Sequence, residues 1–441
     1  MRHHAEGYYV SVNVAPHSDR SPVDDAAFGG GIGRTSGAAV GVASLIGGLS
    51  GYVALLLAAR LLDPAANADF LVLWGAAFTA FGILGGIQVE ATRAVHAAGS
   101  GHGGTGPRIS LVGAGIGLCA AALVLITGWL WAPMLLGDGW RIAVVMLAVG
   151  ITGFSVHVAI AGALAGRERW QSYAAVIAAE ASMRLLLVLG AAAVVATYGG
   201  FVVAATAGTA AWALLAVASP TVRASLSART DVQLRPLLAG IGHASVAAAS
   251  TAILLVGFPV LLRLTTSGSE HESTAAIVLA VALTRGPLLI PLGAFQSVAI
   301  THFMRDPQRG LRALVPVVRV LVPVAMLAAL VAALIGPPFL RAVRDEYDVS
   351  AAMFFGLTLA AALLALLTIS GACCVAIGAQ RWYSRGWVVA TAVSFGILAA
   401  PMALSPRVVA SLVVGPLVGM VVHGISVHAA GGRSRPLGPE Q

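Results

Sequence analysis

The sequence contains no lysine and little charge of either sign, which excludes most classes of soluble protein. Of its 441 residues only 10% are charged, while 58% are hydrophobic, and the mean hydropathy is +0.90. Soluble domains are about 25% charged and about 45–50% apolar. Because a water-soluble fold needs a polar surface, this composition predicts an integral membrane protein.

The positive charge is carried entirely by arginine and does not indicate a nucleic-acid partner. All 26 basic residues are arginine, and the formal net charge is +8. The abundance of alanine, glycine and valine matches the bias of a GC-rich coding sequence, so arginine identity alone is not evidence for ligand recognition. In a chain this apolar we expect membrane lipid, and no nucleic acid, among the partners.

Motifs for metal binding, redox chemistry and catalysis are scarce. Cys119, Cys373 and Cys374 lie in apolar runs and cannot form a disulfide framework. The vicinal pair could be redox-active, but two buried small side chains are the favoured interpretation. The sequence has no metal-ligand spacing and no GxxxxGK(S/T) phosphate loop. It therefore predicts no metal, no cofactor and no enzyme, and leaves coupling to H+ or Na+ open.

Hydrophobic runs of membrane-spanning length fill most of the chain. A helix needs about 20 apolar residues to cross the hydrocarbon. On that basis the sequence predicts an all-α, polytopic membrane protein with about twelve transmembrane helices and no room for a soluble catalytic domain. The predicted spans, numbered 1 to 12, are 38–59, 69–88, 109–131, 142–165, 173–196, 200–218, 238–262, 274–299, 315–339, 349–377, 386–403 and 407–429.

The arginine positions predict the orientation. With the N-terminus inside, 17 arginines fall in cytoplasmic segments, 6 fall outside, and Arg184, Arg285 and Arg319 lie within spans. By the positive-inside rule this predicts a multi-pass protein of the cytoplasmic membrane with both termini in the cytoplasm. Residues 1–37 are polar and lack the pattern of a signal peptide, so we expect a disordered cytoplasmic tail. Residues 430–441 form a second cytoplasmic tail in this prediction.

Two short patterns indicate an internal duplication. The pattern Gly-x-x-Arg-Trp-x-Ser follows span 4 at 166–172 and span 10 at 378–384, and Gly-x-x-Gln ends spans 2 and 8 at Gln88 and Gln296. Two six-span halves would be pseudo-symmetric about an axis along the membrane normal. The alternative is convergent loop chemistry, because glycine ends helices and arginine and tryptophan favour the interface. The predicted units are a lobe at 38–220, a cytoplasmic linker at 221–237 and a lobe at 238–429.

Charges inside the spans are the informative candidates, because each costs at least about 2.5–3.5 kcal/mol in the bilayer. Arg285 lies in the middle of span 8, and Pro287 and Pro291, which follow it, cannot donate a backbone hydrogen bond. A kinked helix beside a fixed cation is typical of the wall of an aqueous cavity. Arg285 is therefore a candidate site for a phosphate or carboxylate. The alternative is a structural arginine that binds carbonyls of neighbouring helices.

Two further acid–arginine pairs lie in or near the spans. Glu180 and Arg184 share one face of span 5, where they either neutralise each other or form a proton-sensitive acid beside a substrate-binding arginine. The first interpretation is favoured. Glu90 and Arg93 lie at the cytoplasmic end of span 2, where long side chains reach water easily. A structural role is favoured for this pair as well.

Two lone histidines and several prolines complete the list of polar or helix-breaking features. His157 in span 4 and His243 in span 7 are each more consistent with an interhelical hydrogen bond than with a proton relay. Pro259 in span 7 and Pro316 and Pro323 in span 9 predict kinks, which would serve either a moving gate or a static bend.

Several elements in order resemble one known family. Span 1 exits through Ala-Arg-Leu-Leu-Asp-Pro at 59–64, and span 2 through Gly-Gly-Ile-Gln-Val-Glu-Ala-Thr-Arg at 85–93. Span 5 carries Glu-x-x-x-Arg-Leu at 180–185 and span 8 carries Leu-Thr-Arg-Gly-Pro at 283–287. Together with the Gly-x-x-Arg exits, these resemble the polysaccharide exporters and Wzx-type flippases of the multidrug/oligosaccharidyl-lipid/polysaccharide (MOP) superfamily. Asp63 stands where that family usually has glycine.

The resemblance implies two six-helix lobes of the MATE/MOP type around a central cavity, with alternating access by lobe rocking. It also implies a lipid-linked saccharide substrate that carries a phosphate or pyrophosphate. The candidate cavity residues are Arg285, Arg184, Arg93, Gln296 and Gln88, and the candidate coupling or charge-partner residues are Glu180, Glu90, His157 and His243.

Three functions follow from these expectations. The preferred one is a flippase or exporter of lipid-linked polysaccharide precursors for the cell envelope, with envelope-synthesis glycosyltransferases as possible partners. The alternative is a cation-coupled multidrug or metabolite antiporter of the related MATE branch, for which Glu180 is the available carboxylate deep in the first half. The third is a scaffold for an envelope-synthesis complex.

Overall fold

The computed structural model describes residues 34–99, 104–266, 273–286, 315–376 and 379–433, and these ranges form helices with no strand among them. We label the helices that overlap the predicted spans α1 to α12. Two shorter helices, Pro220–Ser225 and Phe258–Thr265, lie between them. The labelled helices are α1 (Arg34–Leu61), α2 (Pro64–Ala97), α3 (Ile109–Leu136), α4 (Trp140–Gly166), α5 (Trp170–Val194), α6 (Tyr198–Ala218), α7 (Leu234–Leu255), α8 (Ser273–Gly286), α9 (Val315–Val343), α10 (Ala351–Ala376), α11 (Gln380–Leu398) and α12 (Leu404–Arg433).

The helices have the length and surface of membrane spans. Within the described ranges, nine helical stretches are long and apolar enough to cross a bilayer, and one of them, Ile109–Gly166, contains both α3 and α4. Large apolar side chains such as Ile126 on α3 and Leu334 on α9 are exposed, as lipid contact requires. The chain is therefore a multi-pass α-helical membrane protein, and the number of twelve spans stays a prediction.

The link between α1 and α2 is shorter than predicted. Instead of about nine residues, only Leu62 and Asp63 separate the two helices. The Asp63 carboxylate accepts a hydrogen bond from the Ala66 N–H at 2.9 Å, and Pro64 occupies the first helical position. An aspartate N-cap followed by proline is a strong helix start, which explains both the early beginning of α2 and the aspartate at this position.

Two predicted spans contain breaks. Span 7 is divided, because α7 ends at Leu255 and a short helix with Pro259 in its first turn follows at Phe258–Thr265. The predicted kink at Pro259 is thus a complete interruption. Helix α6 has a 3-10 turn at Gly208–Ala210. In contrast, α9 continues through Pro323 as one helix.

The helices pack within each half, and the two halves also contact each other closely. In the first half α1 packs on α5 and α2 on α4. In the second half α10 packs on α9 and α12, and α11 packs on α12. The main contact between the halves joins α2 to α7. A Cβ atom at Gly86 would lie only 2.4 Å from the Ser245 backbone nitrogen, and one at Gly82 only 2.7 Å from the Ala252 Cβ. Small residues therefore allow this close approach.

The turn before α5 recurs before α11, but in a different register from the matched letters. Arg169 and Ala379 are the N-caps, with φ/ψ of −86°/61° and −88°/51°. Each donates its N–H to a carbonyl five residues earlier, at 2.9 and 2.8 Å. The structural offset is thus 210 residues, whereas the Gly-x-x-Arg-Trp-x-Ser match predicts 212. The repeated turn and the matched letters therefore differ in register by two residues, and the internal duplication stays a prediction.

Candidate functional site

Arg285 lies in the wall of a cavity between the halves of the chain. The cavity has a volume of about 330 Å³ and is lined from α1, α2, α8 and the break after α7. The Arg285 guanidinium donates through Nη1 to the carbonyl oxygens of Leu254 and Leu255, at 3.2 and 2.8 Å. These carbonyls need external donors because α7 ends there. Arg285 therefore binds carbonyl oxygens of a neighbouring helix, as the structural alternative predicts. It also lines a cavity, as the anion-site alternative requires.

The rest of this cavity is aromatic and apolar. The Arg285 guanidinium carbon lies 5.5 Å from the Phe258 ring centroid. Tyr52 donates its hydroxyl to the Ala282 carbonyl at 3.0 Å, which joins α1 to α8. Trp74 closes the side toward α2. Among the lining residues that the structure describes, Arg285 carries the charge and no carboxylate is present.

Arg184 lies behind Trp74 and does not line the Arg285 cavity. Its Nη1 pairs with the Glu180 carboxylate one helical turn away, and its Nη2 donates to the Ser50 hydroxyl of α1 at 3.0 Å. The side chains of Arg184 and Glu180 are only 4% and 9% exposed. The guanidinium also lies 5.1 Å from the Phe78 ring centroid. This geometry agrees with the favoured interpretation, in which the two charges neutralise each other inside the helix bundle.

A row of aromatic rings connects this ion pair to His157. Trp74, Phe78, Phe81, Phe154 and His157 follow one another with centroid separations of 4.4 to 5.5 Å. His157 is 2% exposed, and its Nδ1 has no hydrogen-bond partner among the described residues. The predicted interhelical hydrogen bond is therefore not made at Nδ1; the ring packs as an aromatic side chain instead.

Arg93 and Glu90 form a separate group at the far end of α2. The Arg93 Nη2 lies 2.6 Å from the Glu90 carboxylate, and its Nη1 lies 3.4 Å from Asp231 in the segment before α7. Arg93 is half exposed, and Glu90 packs against Gly240 of α7. The pair thus joins α2 to the segment between the halves, as the structural interpretation predicts, and does not share the Arg285 cavity.

The other predicted residues are dispersed. Gln88 donates to the Tyr173 hydroxyl of α5 at 3.1 Å. His243 is exposed, and its Nδ1 lies 2.8 Å from the Ala239 carbonyl of its own helix, so its predicted interhelical bond is wrong for this nitrogen. Gln296 lies outside the described residues. The described cavity candidates, Arg285, Arg184, Arg93 and Gln88, therefore do not converge on one site, and among them Arg285 alone retains the geometry of a ligand contact.

Residues that sequence reasoning missed include a clasp between the α1–α2 link and the segment between α9 and α10. Arg344 donates to the Ala59 carbonyl at 3.0 Å and also binds the Leu62 carbonyl. Asn67 donates to the Tyr347 hydroxyl at 2.7 Å. The sequence did contain a signal for Arg344. This arginine falls in a segment predicted to lie on the outer face, where the positive-inside rule leads us to expect few arginines.

His423 was missed as well, and it fastens three helices. The fully buried imidazole of α12 lies 2.9 Å from the Ser370 hydroxyl of α10 and 3.1 Å from the Tyr383 carbonyl of α11. No local pattern marks this histidine, because its partners lie 53 and 40 residues away.

Sequence comparison finds relatives in mycobacteria. No protein-family model matches the chain. The Mycobacterium tuberculosis protein named "Uncharacterized protein Rv3630" is 36% identical over 413 residues, which cover 92% of this chain and 95% of that protein. "Uncharacterized protein Rv1510" of the same species is 39% identical over 399 residues, covering 89% and 92%.

Structure comparison identifies the fold. An inward-facing MATE family transporter of the MOP superfamily matches with a TM-score of 0.64 at 14% identity, covering 88% of this chain and 96% of that one. An outward-facing MATE structure matches with a TM-score of 0.59 at 14% identity, covering 92% and 98%. A MOP transporter from Pyrococcus furiosus, whose description reports a binding pocket of reverse polarity, scores 0.63 at 12% identity, covering 91% and 97%. The chain therefore has the MATE fold, and the flippase branch expected from the sequence is not separately supported.

Proposed function

The chain belongs to the protein family of mycobacterial Rv3630 and Rv1510. From its MATE fold and the arginine in its inter-half cavity we propose that it is a lipid-linked polysaccharide flippase. In this proposal the protein moves lipid-linked precursors across the cytoplasmic membrane by alternating access. It acts as a transporter and not as an enzyme. Both termini lie in the cytoplasm, and envelope-synthesis glycosyltransferases are its expected partners.

The charge of the Arg285 cavity carries the proposal. A fixed arginine repels a cationic drug, and the described lining of this cavity contains no carboxylate that would offset it, only this arginine and apolar or aromatic side chains. An arginine in a water-poor site forms charge-assisted hydrogen bonds to phosphate, which are roughly twice as strong as neutral ones. The arrangement therefore favours an anionic group over a cationic one.

Arg285 is held in place before any substrate arrives. Its contacts with Leu254 and Leu255 use Nη1, so these two carbonyls do not occupy Nη2 and Nε. A planar guanidinium can bind carbonyls on one side and phosphate oxygens on another. In the proposed mechanism Arg285 receives the phosphate, Phe258 and Trp74 border the head group, and the lipid chain stays in the bilayer.

The alternative, a cation-coupled antiporter of the MATE branch, depends on Glu180. This glutamate is a buried carboxylate in the first half of the chain, which is what cation coupling needs. Its pairing with Arg184 weakens the case, because the arginine already neutralises it. The two functions differ in the driving force and in the charge of the transported molecule, so transport assays separate them.

The test is lipid translocation in proteoliposomes. The protein is reconstituted with a fluorescent lipid-linked oligosaccharide, and the labelled lipid that reaches the outer leaflet is quantified by chemical quenching. We expect translocation by the unmodified protein and at least a ten-fold loss in Arg285→Gln. Arg319→Gln is the matched control, since Arg319 lies on the exposed face of α9, outside the cavity. Proton- or sodium-driven uptake of a cationic dye without lipid translocation would establish the antiporter instead.

A further inference from the structure

A groove runs along α7 and α11. Among the described site candidates, only His243 lines it. It consists of two cavities in succession. The first, of about 1110 Å³, is lined by α7 from Ala239 to Thr251 and by α11 from Arg381 to Arg385. The second, of about 360 Å³, follows along the same helices from Ser250 and from Val388. We call these two cavities the α7–α11 groove.

One end of the groove is positively charged. Arg381 and Arg385 lie one helical turn apart on one face of α11, and both are exposed. Neither forms an ion pair with another described residue; the Arg385 guanidinium carbon lies 5.2 Å from the Trp382 ring centroid. The described lining of this cavity contains no carboxylate. Like charges at this spacing repel each other, so an anion between them would relieve an unfavourable arrangement.

The repeated turn has no arginine at the corresponding positions of the first half. At the structural offset of 210 residues, the positions of Arg381 and Arg385 correspond to Gln171 and Ala175 in α5. The same turn therefore forms with uncharged residues in the first half of the chain. The positive-inside rule is satisfied there by arginines before the helix. In the second half Arg381 and Arg385 are themselves the arginines that the positive-inside rule predicts, and their spacing on one helix face also suits a shared anion.

The other end of the groove is apolar. Its lining includes Leu261, Leu264, Val388 and Phe395, and the only polar side chains among the described lining residues are hydroxyls. Val388 and Phe395 are 55% and 39% exposed. Phe395 lies fourteen positions after Arg381 in α11, which is roughly 21 Å of helix at 1.5 Å per residue. Half of a bilayer's hydrocarbon is about 15 Å thick, so the groove is long enough to follow a lipid chain through one leaflet.

We propose that the α7–α11 groove binds an anionic lipid, with its phosphate between Arg381 and Arg385 and its hydrocarbon chain against Val388 and Phe395. The proposal rests on the proposed function, because it makes the groove the entry site for the lipid-phosphate part of the substrate. Charge at one end and an apolar wall at the other select a long-chain lipid phosphate. A free phosphate lacks the chain, and a zwitterionic phospholipid lacks the net charge.

The test measures equilibrium binding of a fluorescent long-chain polyprenyl phosphate to the full-length protein in detergent, by fluorescence anisotropy. Arg381→Gln combined with Arg385→Ala installs the residues of the equivalent first-half turn, and we expect at least a ten-fold weaker affinity. Val388→Trp fills the apolar end and should also weaken binding. Arg319→Gln is the control and should bind like the unmodified protein. Thermal unfolding of each purified variant checks that it is folded.

Competition identifies the ligand chemistry. We expect unlabelled polyprenyl phosphate to displace the probe, while inorganic phosphate, the uncharged polyprenol and phosphatidylcholine compete at least ten-fold more weakly. Equal competition by inorganic phosphate would overturn the lipid assignment, and unchanged affinity in the double variant would overturn the site.

The same measurements separate this proposal from the proposed function. If the variants lose lipid-phosphate binding but the unmodified protein translocates no lipid-linked saccharide, the groove stands and the flippase assignment fails. If the unmodified protein translocates and the double variant both binds and translocates at the unmodified rate, the flippase stands and the groove fails.

Discussion

Arg285 of α8 donates a hydrogen bond to the Leu255 carbonyl, 2.8 Å away, at the point where α7 ends. This contact crosses two helices and gives Arg285 a role in the stability of the break as well as in the cavity. Removing a buried donor leaves its acceptors unsatisfied, at a cost of about 1–3 kcal/mol. The effects of Arg285 substitutions on stability and on transport should therefore differ with the substituting side chain.

We expect Arg285→Ala to lower both the melting temperature and translocation, because the Leu254 and Leu255 carbonyls lose their donor. Arg285→Lys keeps a donor and a charge but not the planar fork, so it should retain more stability and still translocate poorly. Melting in detergent and translocation in proteoliposomes measure the two effects. A stable Arg285→Ala protein would show that the carbonyl contacts contribute nothing.

The Glu180–Arg184 ion pair predicts a strong asymmetry between single and double substitutions. Glu180→Gln leaves a buried arginine without its counter-charge, which is expected to cost about 3–5 kcal/mol. Glu180→Gln combined with Arg184→Met removes both charges and should recover most of that loss, as measured by a double-mutant cycle on unfolding. A stable Glu180→Gln variant that loses only gradient-driven transport would contradict the structural role and support the antiporter.

The helices could be predicted from the sequence because the length of an apolar run is a local property. Every predicted span overlaps a described helix. The site could be predicted only in part. Arg285 was found because a charge within an apolar run is conspicuous, but the carbonyls that it binds depend on the break at Gly257, which no run length reveals. No local sequence pattern marks Trp74. Its ring lies between the Arg285 cavity and the Arg184 guanidinium, and this position depends on the packing of three helices.

The clasp at Tyr347 predicts a loss of stability at alkaline pH. Tyr347 lies between α9 and α10, and burial raises the pKa of its phenol, although the hydrogen bond from Asn67 and the charge of Arg344 oppose this shift. With a raised folded-state pKa, the stabilisation is complete below the unfolded-state pKa of about 10 and is lost as the pH rises through the folded-state value. Melting temperatures from pH 9 to 11.5 should fall more steeply for the unmodified protein than for Tyr347→Phe. Parallel curves would show that this phenol does not contribute.

The contact between Gly208 and Arg184 predicts that one methyl group is enough to disturb the ion pair. A Cβ atom at Gly208 would lie 2.8 Å from the Arg184 Cβ and 2.9 Å from its backbone nitrogen, so α5 and α6 must separate to admit it. Overpacking of this kind typically costs about 1–3 kcal/mol, and we expect Gly208→Ala to lower the melting temperature. Gly190 of α5 supplies the matched control, because a Cβ there meets no atom within 4 Å. Gly190→Ala should be neutral or stabilising by up to about 1 kcal/mol, since alanine is the better helix former. Equal melting temperatures for the two variants would mean that the α5–α6 contact is looser than this spacing requires.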